Sequence, residues 1–370
     1  MEACPGNRAP RSSPLAGKMS EPGCSGKQER LESMKVLFDH AFPFALAHGG
    51  FQIQIEQTKA ALERRGIEVE HVRWWDDKQT GQIIHYFGRP AGGYIDFAHA
   101  KGIKVVAAEL LTGLGSRSTG ARFLQKSLMR TTQAVLPPSF WSRLAWDAYE
   151  KADAFVALTQ WEAHLMQSMF GAATAKVHVI PNGVEEIFFD FSTDENPRTR
   201  ADYLVCTGAI HPRKRVLELA QAAVLSKVPV WIIGKPYSES DPYYLHFLDV
   251  QKKNSDLIRY EGSISDRQRL AEIYRQARGF VLLSTMESLS LSALEAAASK
   301  CPLLLTDLPW AKTVFGADAV YANGSMRPER LAPVLREFFE NAPSMNTSFK
   351  PLTWDEVAAR FQALYVKLLS

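Results

Sequence analysis

The chain has 370 residues, 46% of them hydrophobic and 22% charged, which is typical of a globular protein long enough for two domains. A formal net charge of +3 is too small to indicate nucleic acid as a partner, and no apolar run reaches the ~20 residues of a membrane-spanning helix. The four cysteines include no Cys-x-x-Cys pair, so they indicate neither a zinc site nor a disulfide framework and favour the reducing cytoplasm.

Residues 1–33 are rich in Gly, Pro, Ser and charge and lack the apolar stretch of a signal peptide. We expect a disordered tail or a start codon assigned too far upstream, because a strand-like Val-Leu-Phe lies close behind Met34. The fold is therefore expected to begin at residue 34.

Beyond that point, short apolar runs alternate with longer amphipathic segments, which predicts parallel α/β structure. A strand at Lys35–Asp39 leads through Gly49-Gly50 to a helix at Gln52–Arg65 that ends at Gly66. Five more strands are predicted in the first half, at Glu68–Val72, Gln82–Tyr86, Lys104–Ala108, Ala154–Leu158 and Val177–Ile180.

The same pattern restarts after a Pro-Asn-Gly turn at 181–183. A polar run at 192–200 resembles a linker, so a hinge is expected near 183–200. The strands predicted in this second α/β unit are Tyr203–Thr207, Val230–Ile233, Leu257–Tyr260, Phe280–Ser284 and Leu303–Thr306.

Capping patterns mark three helix starts. Thr159 with Glu162, and Thr353 with Glu356, each form a capping box, in which hydroxyl and carboxylate accept from free backbone amides. Asp241 followed by proline marks the third start. The box at Thr353 predicts a helix at the C-terminal end of the chain.

Ligands of parallel sheets bind at the carboxyl ends of strands, and the most specific segment of that kind lies at 284–296. A strand ends there, a small-residue loop turns, and an Ala-rich helix begins, with Glu287 in the loop and Glu295 in the helix. Free amides near Leu289–Leu291 would face an anion, and carboxylates accept hydrogen bonds from hydroxyl groups. The alternative is a capping loop with a solvated glutamate.

A second segment carries three consecutive cations, Arg213, Lys214 and Arg215, directly before a helix. Cations at that end oppose the helix dipole unless an anion such as a diphosphate fills the space. The alternative is a solvated basic turn. The third segment, Gly49-Gly50, permits close approach of the backbone to a ligand, although an ordinary strand-to-helix turn uses the same residues.

Together these motifs resemble the family 4 glycosyltransferases of the GT-B fold. Glu287 and Glu295 match the E-x7-E motif of the family, and Gly208 with Lys214 matches its phosphate-binding G-x5-K element. Two further matches are the glycine loop of the N-terminal lobe, at 49–50, and the interdomain signature, which is Val179-Ile180-Pro181-Asn182-Gly183-Val184.

The resemblance implies an α/β fold class with two Rossmann-like lobes facing a cleft. It covers an N-terminal, acceptor-binding lobe at 34–185 and a C-terminal, nucleotide-sugar-binding lobe at 186–352. A C-terminal helix at 353–370 would follow the second lobe.

The resemblance also implies roles for the site residues. Lys214, with Arg213, would stabilise the donor diphosphate, and Glu287 would hold hexose hydroxyls, so these three are the candidate catalytic residues. Glu295 would contact the ribose hydroxyls, and the base would lie at Gly262. The implied donor-binding residues are Gly49, Gly50, Gly208, Gly262, Leu289, Ser290, Leu291 and Glu295.

Two positions depart from the family pattern. The family usually has Arg directly after the glycine that matches Gly208, whereas this chain has Ala209, so Arg213 is the candidate substitute. It often has His after the fourth strand of the N-terminal lobe, where this chain has Ala-Glu-Leu-Leu-Thr. His85 and Glu109 are the candidate replacements.

The implied activity is transfer of a hexose, with retention, from a nucleotide diphosphate sugar to a hydroxyl of a saccharide or lipid-linked acceptor. We expect no metal, because no aspartate pair stands at metal-binding spacing, and no cofactor besides the nucleotide sugar as co-substrate. The expected location is the cytoplasm, or the inner face of the membrane. The alternatives are a phosphorylase or epimerase on the same fold and a catalytically silent nucleotide-sugar-binding or scaffold protein.

The segment 113–146 carries several basic residues and no acidic residue, with apolar side chains interleaved. A basic amphipathic segment of this kind lies on anionic lipid, which predicts peripheral membrane contact. The alternative is a solvated helix that packs its apolar side on its own lobe. Its cations are Arg117, Arg122, Lys126, Arg130 and Arg143.

Overall fold

The computed structural model of the chain describes residues 34–41, 43–44, 49–137, 144–189, 200–345 and 347–370. Residues 1–33 and the predicted linker at 192–199 lie outside these ranges. Two parallel sheets of six strands organise the described residues. They form two Rossmann-like lobes, as expected.

The first sheet has the strand order β2-β1-β3-β4-β5-β6, and every neighbouring pair is parallel. Its strands are β1 Lys35–His40, β2 Glu68–His71, β3 Ile83–Phe87, β4 Lys104–Ala107, β5 Ala154–Ala157 and β6 Val177–Val179. The helices of this lobe are α1 Gly50–Arg64, α2 Gly92–Ala100, α3 Thr112–Gly115, α4 Thr119–Val135, α5 Ala148–Lys151 and α6 Gln160–Phe170.

The second sheet has the order β12-β11-β10-β7-β8-β9 and is also parallel throughout. Its strands are β7 Leu204–Thr207, β8 Val230–Ile233, β9 Ile258–Tyr260, β10 Gly279–Leu282, β11 Leu303–Thr306 and β12 Ala319–Ala322. The helices are α7 Val216–Ser226, α8 Pro242–Lys253, α9 Arg267–Gln276, α10 Leu291–Ala298, α11 Pro309–Phe315, α12 Pro328–Asn341 and α13 Trp354–Leu369.

The central strands of both sheets are buried on both faces, because helices cover each side of a parallel sheet. Every residue of β5, β7, β8, β10 and β11 is buried. Their continuous apolar runs are the signal from which the strands were predicted, and the predicted ends lie within two residues of the observed ones. The edge strand β12 was not predicted, because its apolar run is only four residues long and half of these residues are partly exposed.

The helix starts follow the capping patterns, with one correction. Thr353 and Glu356 form the complete capping box of α13, and Asp241 caps α8. Thr159 caps α6, but the predicted box there is incomplete. The Glu162 carboxylate accepts instead from the backbone N–H groups of Leu158 and Leu111, at 3.0 and 2.9 Å, so it ties α6 to the loop after β4.

Although α13 follows the second lobe in sequence, it packs on the first. Its buried residues, which include Phe361 and Tyr365, share one apolar cluster with Val36 and Phe38 of β1 and Leu62 of α1. The chain therefore returns to the first lobe to complete its core. Among the described residues, no helix combines the length and apolarity needed to cross a bilayer.

The chain passes between the lobes twice, once at Val184 and again at Leu352, and these two crossings lie side by side. The Val184 N–H donates to the Leu352 carbonyl at 2.9 Å, and Val184 also pairs with Thr353 in an isolated bridge. A Cβ on Gly183 would stand 2.7 Å from backbone atoms of Trp354, so the close approach requires glycine. This juxtaposition lies at the start of the predicted hinge.

His85 lies in the contact between β3 and α13. Its side chain is fully buried, its Nδ1 lies 2.6 Å from the Tyr365 hydroxyl, and its ring stacks on Phe87 with centroids 4.3 Å apart. Burial lowers the pKa of His85 to about 3, so the imidazole is neutral at neutral pH. The candidate role of His85 as a sugar-facing group is wrong, because the side chain faces the core under α13.

We predict that Tyr365→Phe lowers the free energy of unfolding by about 1–3 kcal/mol, because it leaves the buried imidazole without this partner. Urea denaturation followed by circular dichroism measures the change. Tyr237→Phe is the matched control, since Tyr237 is exposed and a surface change alters stability by less than about 0.5 kcal/mol. Equal stability of the two variants would contradict this account of how α13 packs on the first lobe.

Candidate functional site

The carboxyl edge of the second sheet carries a row of three glycines, each within two residues of a strand end. Gly208 follows β7, Gly234 follows β8 and Gly262 comes soon after β9. The Gly208 N–H donates to the Ile233 carbonyl at 3.0 Å, and the Gly234 N–H donates to the Gly262 carbonyl at 2.8 Å. The row forms an edge of backbone without side chains, which a ligand can approach closely.

Gly234 is the member of this row that the sequence analysis did not single out. A Cβ at this position would lie 1.8 Å from the Gly208 carbonyl oxygen, so no other residue fits without displacing the loop after β7. Its position directly after a fully apolar strand was the available signal. That signal is weak, because a glycine after a strand is common in ordinary turns.

The loop after β7 brings two predicted cations onto a predicted carboxylate. Its turn at Pro212–Lys214 places the Lys214 ammonium in an ion pair with Glu287, and the Arg213 guanidinium lies 3.3 Å from the same carboxylate oxygen. Arg213 also donates to the Met286 carbonyl at 2.7 Å. The three candidate catalytic residues therefore lie together at one point.

Backbone contacts hold the same two loops together. The Thr285 N–H donates to the Arg213 carbonyl at 2.9 Å, so the loop after β10 is tied to the loop after β7. The Lys214 side chain is 14% exposed, which argues against the alternative of a solvated basic turn. Two cations facing one carboxylate leave an excess of positive charge here, which suits a polyanionic ligand.

Arg215, the third cation of the run, faces away from this point. It adopts a left-handed backbone conformation with φ of 55°, and its guanidinium donates to the carbonyls of Gly324 and Met326. Its role is to tie the start of α7 to the loop after β12. The sequence predicted that all three cations face one anion site, and the structure corrects this number to two, Arg213 and Lys214.

The N-terminus of α10 lies beside these charges. Ser290 is its N-cap, and its hydroxyl accepts from the Ala293 N–H at 3.4 Å. The first amides of a helix have no partner within the helix, so those at the start of α10 that the Ser290 cap does not use are available to an anion. Leu289 is buried in the core of the second lobe and Leu291 packs toward the first lobe, so these two predicted residues can offer the ligand mainly their backbone.

The first lobe meets α10 across the cleft. A Cβ at Gly50, the first residue of α1, would lie 3.7 Å from the Leu291 side chain, and Gly49 has a φ of 125° that favours glycine. The predicted glycine loop therefore lies opposite the start of α10. Structure and prediction agree on the nearness of these residues, while their contact with a ligand stays a prediction.

Two hydroxyl groups of the first lobe reach the loop of Glu287. The Thr112 and Ser288 hydroxyl oxygens are 2.5 Å apart, and the Glu287 N–H donates to the Ser116 hydroxyl at 3.4 Å. Thr112 and Ser116 are not among the site residues predicted from the sequence. Small hydroxyl residues at the two ends of a one-turn helix give no distinctive signal before the fold brings them to the cleft.

Glu295 lies in the second turn of α10 and is buried. The Arg267 guanidinium contacts its carboxylate at 2.5 Å, and the Tyr274 hydroxyl lies 3.4 Å from the other carboxylate oxygen. Burial raises the pKa of the Glu295 carboxyl above its usual range, and the charge of Arg267 opposes that shift. The predicted division, with Glu287 in the loop and Glu295 in the helix, is confirmed.

Glu109, the other candidate for a sugar-facing group, lies in an ion pair. Both of its carboxylate oxygens accept from the Arg89 guanidinium, at 2.8 and 2.7 Å, and one also accepts from the Tyr149 hydroxyl. Arg89 in turn lies over the ring of Phe170. Within the described ranges, no group of three or more His, Cys, Asp or Glu side chains is arranged to hold a metal ion.

Comparisons with protein families assign both halves of the chain to glycosyltransferases. The family described as "Glycosyltransferase Family 4" matches residues 72–186, and "Glycosyl transferases group 1" matches residues 188–350.

Curated relatives include D-inositol 3-phosphate glycosyltransferase 1 of Catenulispora acidiphila, 27% identical over 287 residues, which are 68% of each chain. D-inositol 3-phosphate glycosyltransferase of Jonesia denitrificans is 28% identical over 247 residues, which are 58% of this chain and 57% of the relative.

Solved structures show the same architecture. The sucrose-phosphate synthase of Thermosynechococcus elongatus superposes with a TM-score of 0.67 at 16% identity, over 91% of this chain and 99% of its own. HepE of Anabaena, solved in complex with UDP, superposes with a TM-score of 0.59 at 13% identity, over 91% of this chain and 97% of its own. At these identities the likeness concerns the fold. The chain belongs to the family 4 glycosyltransferases and has the GT-B fold.

Proposed function

We propose that this glycosyltransferase moves a hexose from a uridine diphosphate sugar to a hydroxyl group of an acceptor, with retention at the anomeric carbon and without a metal ion. The observation that carries the proposal is the convergence of Lys214, Arg213 and Glu287 beside the N-terminus of α10. The choice of uridine is supported by neighbours in the same fold that were solved with UDP. Retention rests on the family.

The donor diphosphate would lie between the two cations and the first amides of α10. As the bond to the sugar breaks, negative charge develops on the diphosphate, and preorganised cations and amides stabilise it most strongly where water is excluded. Lys214 and Arg213 would thereby supply the positive charge that a divalent metal supplies in other enzymes. Activity is therefore expected to persist in the presence of a chelator.

Glu287 would exchange partners when the donor binds. Without an anion, its carboxylate is held by Lys214 and Arg213. An arriving diphosphate would compete for both cations and free the carboxylate to accept hydrogen bonds from hexose hydroxyls. The same event would thus prepare the phosphate site and the sugar site.

The other donor groups would follow the edge of the second sheet. The base would lie by Gly262, the phosphates by Gly208, and the ribose hydroxyls at Glu295, while Gly49 and Gly50 would close the site from the first lobe. The loops at Gly208, Gly234 and Gly262 are adjacent, because the Gly208 N–H donates to the Ile233 carbonyl and the Gly234 N–H donates to the Gly262 carbonyl. A phosphorylase, an epimerase or a silent binding protein would differ in one respect, since none of them would transfer hexose from a nucleotide sugar to a hydroxyl acceptor.

The acceptor side of the proposal is a lipid-linked saccharide met at an anionic membrane surface. Helix α4 exposes Leu124, Leu128 and Val135 at 71%, 66% and 74%, the first two on successive turns and Val135 about two turns further along the same face. Met129 is the one buried side chain among those described in α4. The helix therefore leaves a long apolar face without a protein partner in the described part of the chain.

The charge around α4 favours an anionic surface as the occupant of that face. The described part of segment 113–146 contains basic side chains, among them Arg122, Lys126 and Arg130, and no acidic one from 113 to 137. Basic residues beside an exposed apolar face are the pattern of helices that lie in the headgroup region. Ser116, two residues before the N-cap of α4, reaches Glu287, so a docked helix would lie next to the reacting sugar.

We predict that the two glutamates affect different measurements. Glu295→Gln should weaken UDP binding about tenfold to a hundredfold, because a charged acceptor for the ribose is lost. Glu287→Gln should lower the transfer rate by a similar factor without weakening UDP binding, because UDP has no hexose and its diphosphate no longer competes with this carboxylate for Lys214 and Arg213. Calorimetry with UDP and a transfer assay with the intact donor measure the two effects.

Glu272→Gln is the matched control for both variants, because Glu272 is exposed on α9 and is expected to leave binding and transfer unchanged. Parental binding and transfer in both site variants would contradict the proposed function.

We further predict that the protein sediments with vesicles of phosphatidylcholine and phosphatidylglycerol, less at high salt, and less with phosphatidylcholine alone. Replacing Leu124, Leu128 and Val135 together by Ser should weaken binding about a hundredfold, because the inserted apolar area is lost. Replacing Leu225 and Leu245, exposed on the second lobe, is the control and should change nothing. Equal sedimentation of both variants would contradict the proposed binding of α4 to an anionic membrane.

A further inference from the structure

Arg267 contacts Glu295, but none of the roles proposed above for the donor site includes this arginine. It is the first residue of α9, and its guanidinium lies between two carboxylates from different parts of the chain. Its Nη2 contacts Glu295 at 2.5 Å, and its Nε contacts Glu185 at 2.9 Å. Glu295 belongs to α10, whereas Glu185 directly follows the first crossing between the lobes.

The guanidinium also stacks on the segment that leaves this crossing. It lies 4.7 Å from the centre of the buried Phe188 ring, in the turn Glu186–Phe188. Val184, one residue before Glu185, is hydrogen-bonded to the second crossing at Leu352. Arg267 therefore connects the carboxylate in α10 to the place where the chain passes between the lobes.

We propose that Arg267 is a positioning residue that keeps Glu295 ionised for the donor ribose and couples occupancy of that carboxylate to the interlobe crossing at Glu185. The proposal rests on the proposed function, in which Glu295 accepts from the ribose hydroxyls. It adds a residue that does not itself touch the donor and a route from the donor site to the crossing.

The electrostatics of the cluster give Arg267 this effect. The ionisable groups that face Glu295 are Arg267, Glu185 and Tyr274, of which Arg267 carries the positive charge. The Glu295 carboxylate is buried and lies near Glu185, and both burial and the charge of Glu185 favour the protonated form of Glu295. Without the guanidinium, Glu295 would hold a proton over a wider pH range, and a protonated carboxyl is a poorer acceptor for two hydroxyls.

The test compares UDP affinity, measured by calorimetry, as the ratio of variant to wild-type Kd from about pH 6 to about pH 9. Taking the ratio cancels the ionisation of UDP itself. For Arg267→Gln we expect the ratio to be about tenfold or more at the acidic end and to fall as pH rises, because loss of the guanidinium raises the pKa of Glu295 further and so leaves more of this carboxyl protonated at low pH. A ratio that is the same at every pH would overturn the proposal.

The matched control is Arg275→Gln. Arg275 is a buried arginine on the same helix, and it donates to the Ile187 carbonyl of the same turn at 3.1 Å. Its loss disturbs the turn without removing a charge from Glu295, so the Kd ratio should not depend on pH. An identical pH profile in the two variants would reduce Arg267 to a structural role and contradict the proposal.

A second substitution tests the connection to the crossing. Once Arg267 is removed, the charge of Glu185 disfavours ionisation of Glu295, so Glu185→Gln should restore part of the UDP affinity of Arg267→Gln at the acidic end. In Arg275→Gln, where Arg267 still faces Glu295, the same substitution should raise UDP affinity less than it does in Arg267→Gln. Absence of this rescue would overturn the coupling to Glu185.

If Arg267→Gln does not fold, the UDP affinity of the single variant Glu185→Gln tests the proposal. The proposal expects UDP affinity equal to or higher than that of the wild type, because Glu295 loses a neighbouring acid and keeps its cation. A loss of affinity would mean that Glu185 merely braces the crossing. Failure of the proposed function is recognised separately, since Glu295→Gln would then bind UDP like the wild type.

Discussion

The ion pairs of Lys214 and Arg213 with Glu287 join two loops that the sequence places more than seventy residues apart. Both loops leave the carboxyl edge of one parallel sheet, where β7 and β10 are neighbours, so the fold itself brings their charges together. The arrangement is stable without a ligand because the carboxylate offsets part of the positive charge. It is also poised for an anion, since a diphosphate offers both cations more negative charge than one carboxylate does.

The rest of the fold maintains this point. The close contact at Gly234 holds the loop after β7 against β8 and β9, and Arg215 ties the far end of that loop to the loop after β12. From the first lobe, Thr112 and Ser116 reach the loop of Glu287. Because α13 packs on the first lobe while its preceding residues lie against Val184, the two crossings lie side by side in one connection between the lobes.

Local patterns predicted every strand except the short β12, most helix starts and the loops that carry the site, because burial on both faces of a sheet and capping both leave marks within a few residues of sequence. The other features that local patterns did not predict depend on distant partners. Residues remote in sequence decide where the Arg215 side chain points and why His85 is buried under α13. They also decide that Glu162 accepts a second hydrogen bond from Leu111. The pairing of Glu295 with Arg267 belongs to the same class, and so does the steric need for glycine at 234.

The central claim, that Lys214 with Arg213 binds a diphosphate, is tested most directly by calorimetric titration of UDP and of UMP into the wild type and Lys214→Ala. UDP should bind the wild type at least about tenfold more tightly than UMP, because a charge-assisted contact to the second phosphate is worth roughly 1.5–3 kcal/mol. Lys214→Ala should lose most of that preference while its affinity for UMP changes little. The same preference for UDP in both proteins would contradict the account.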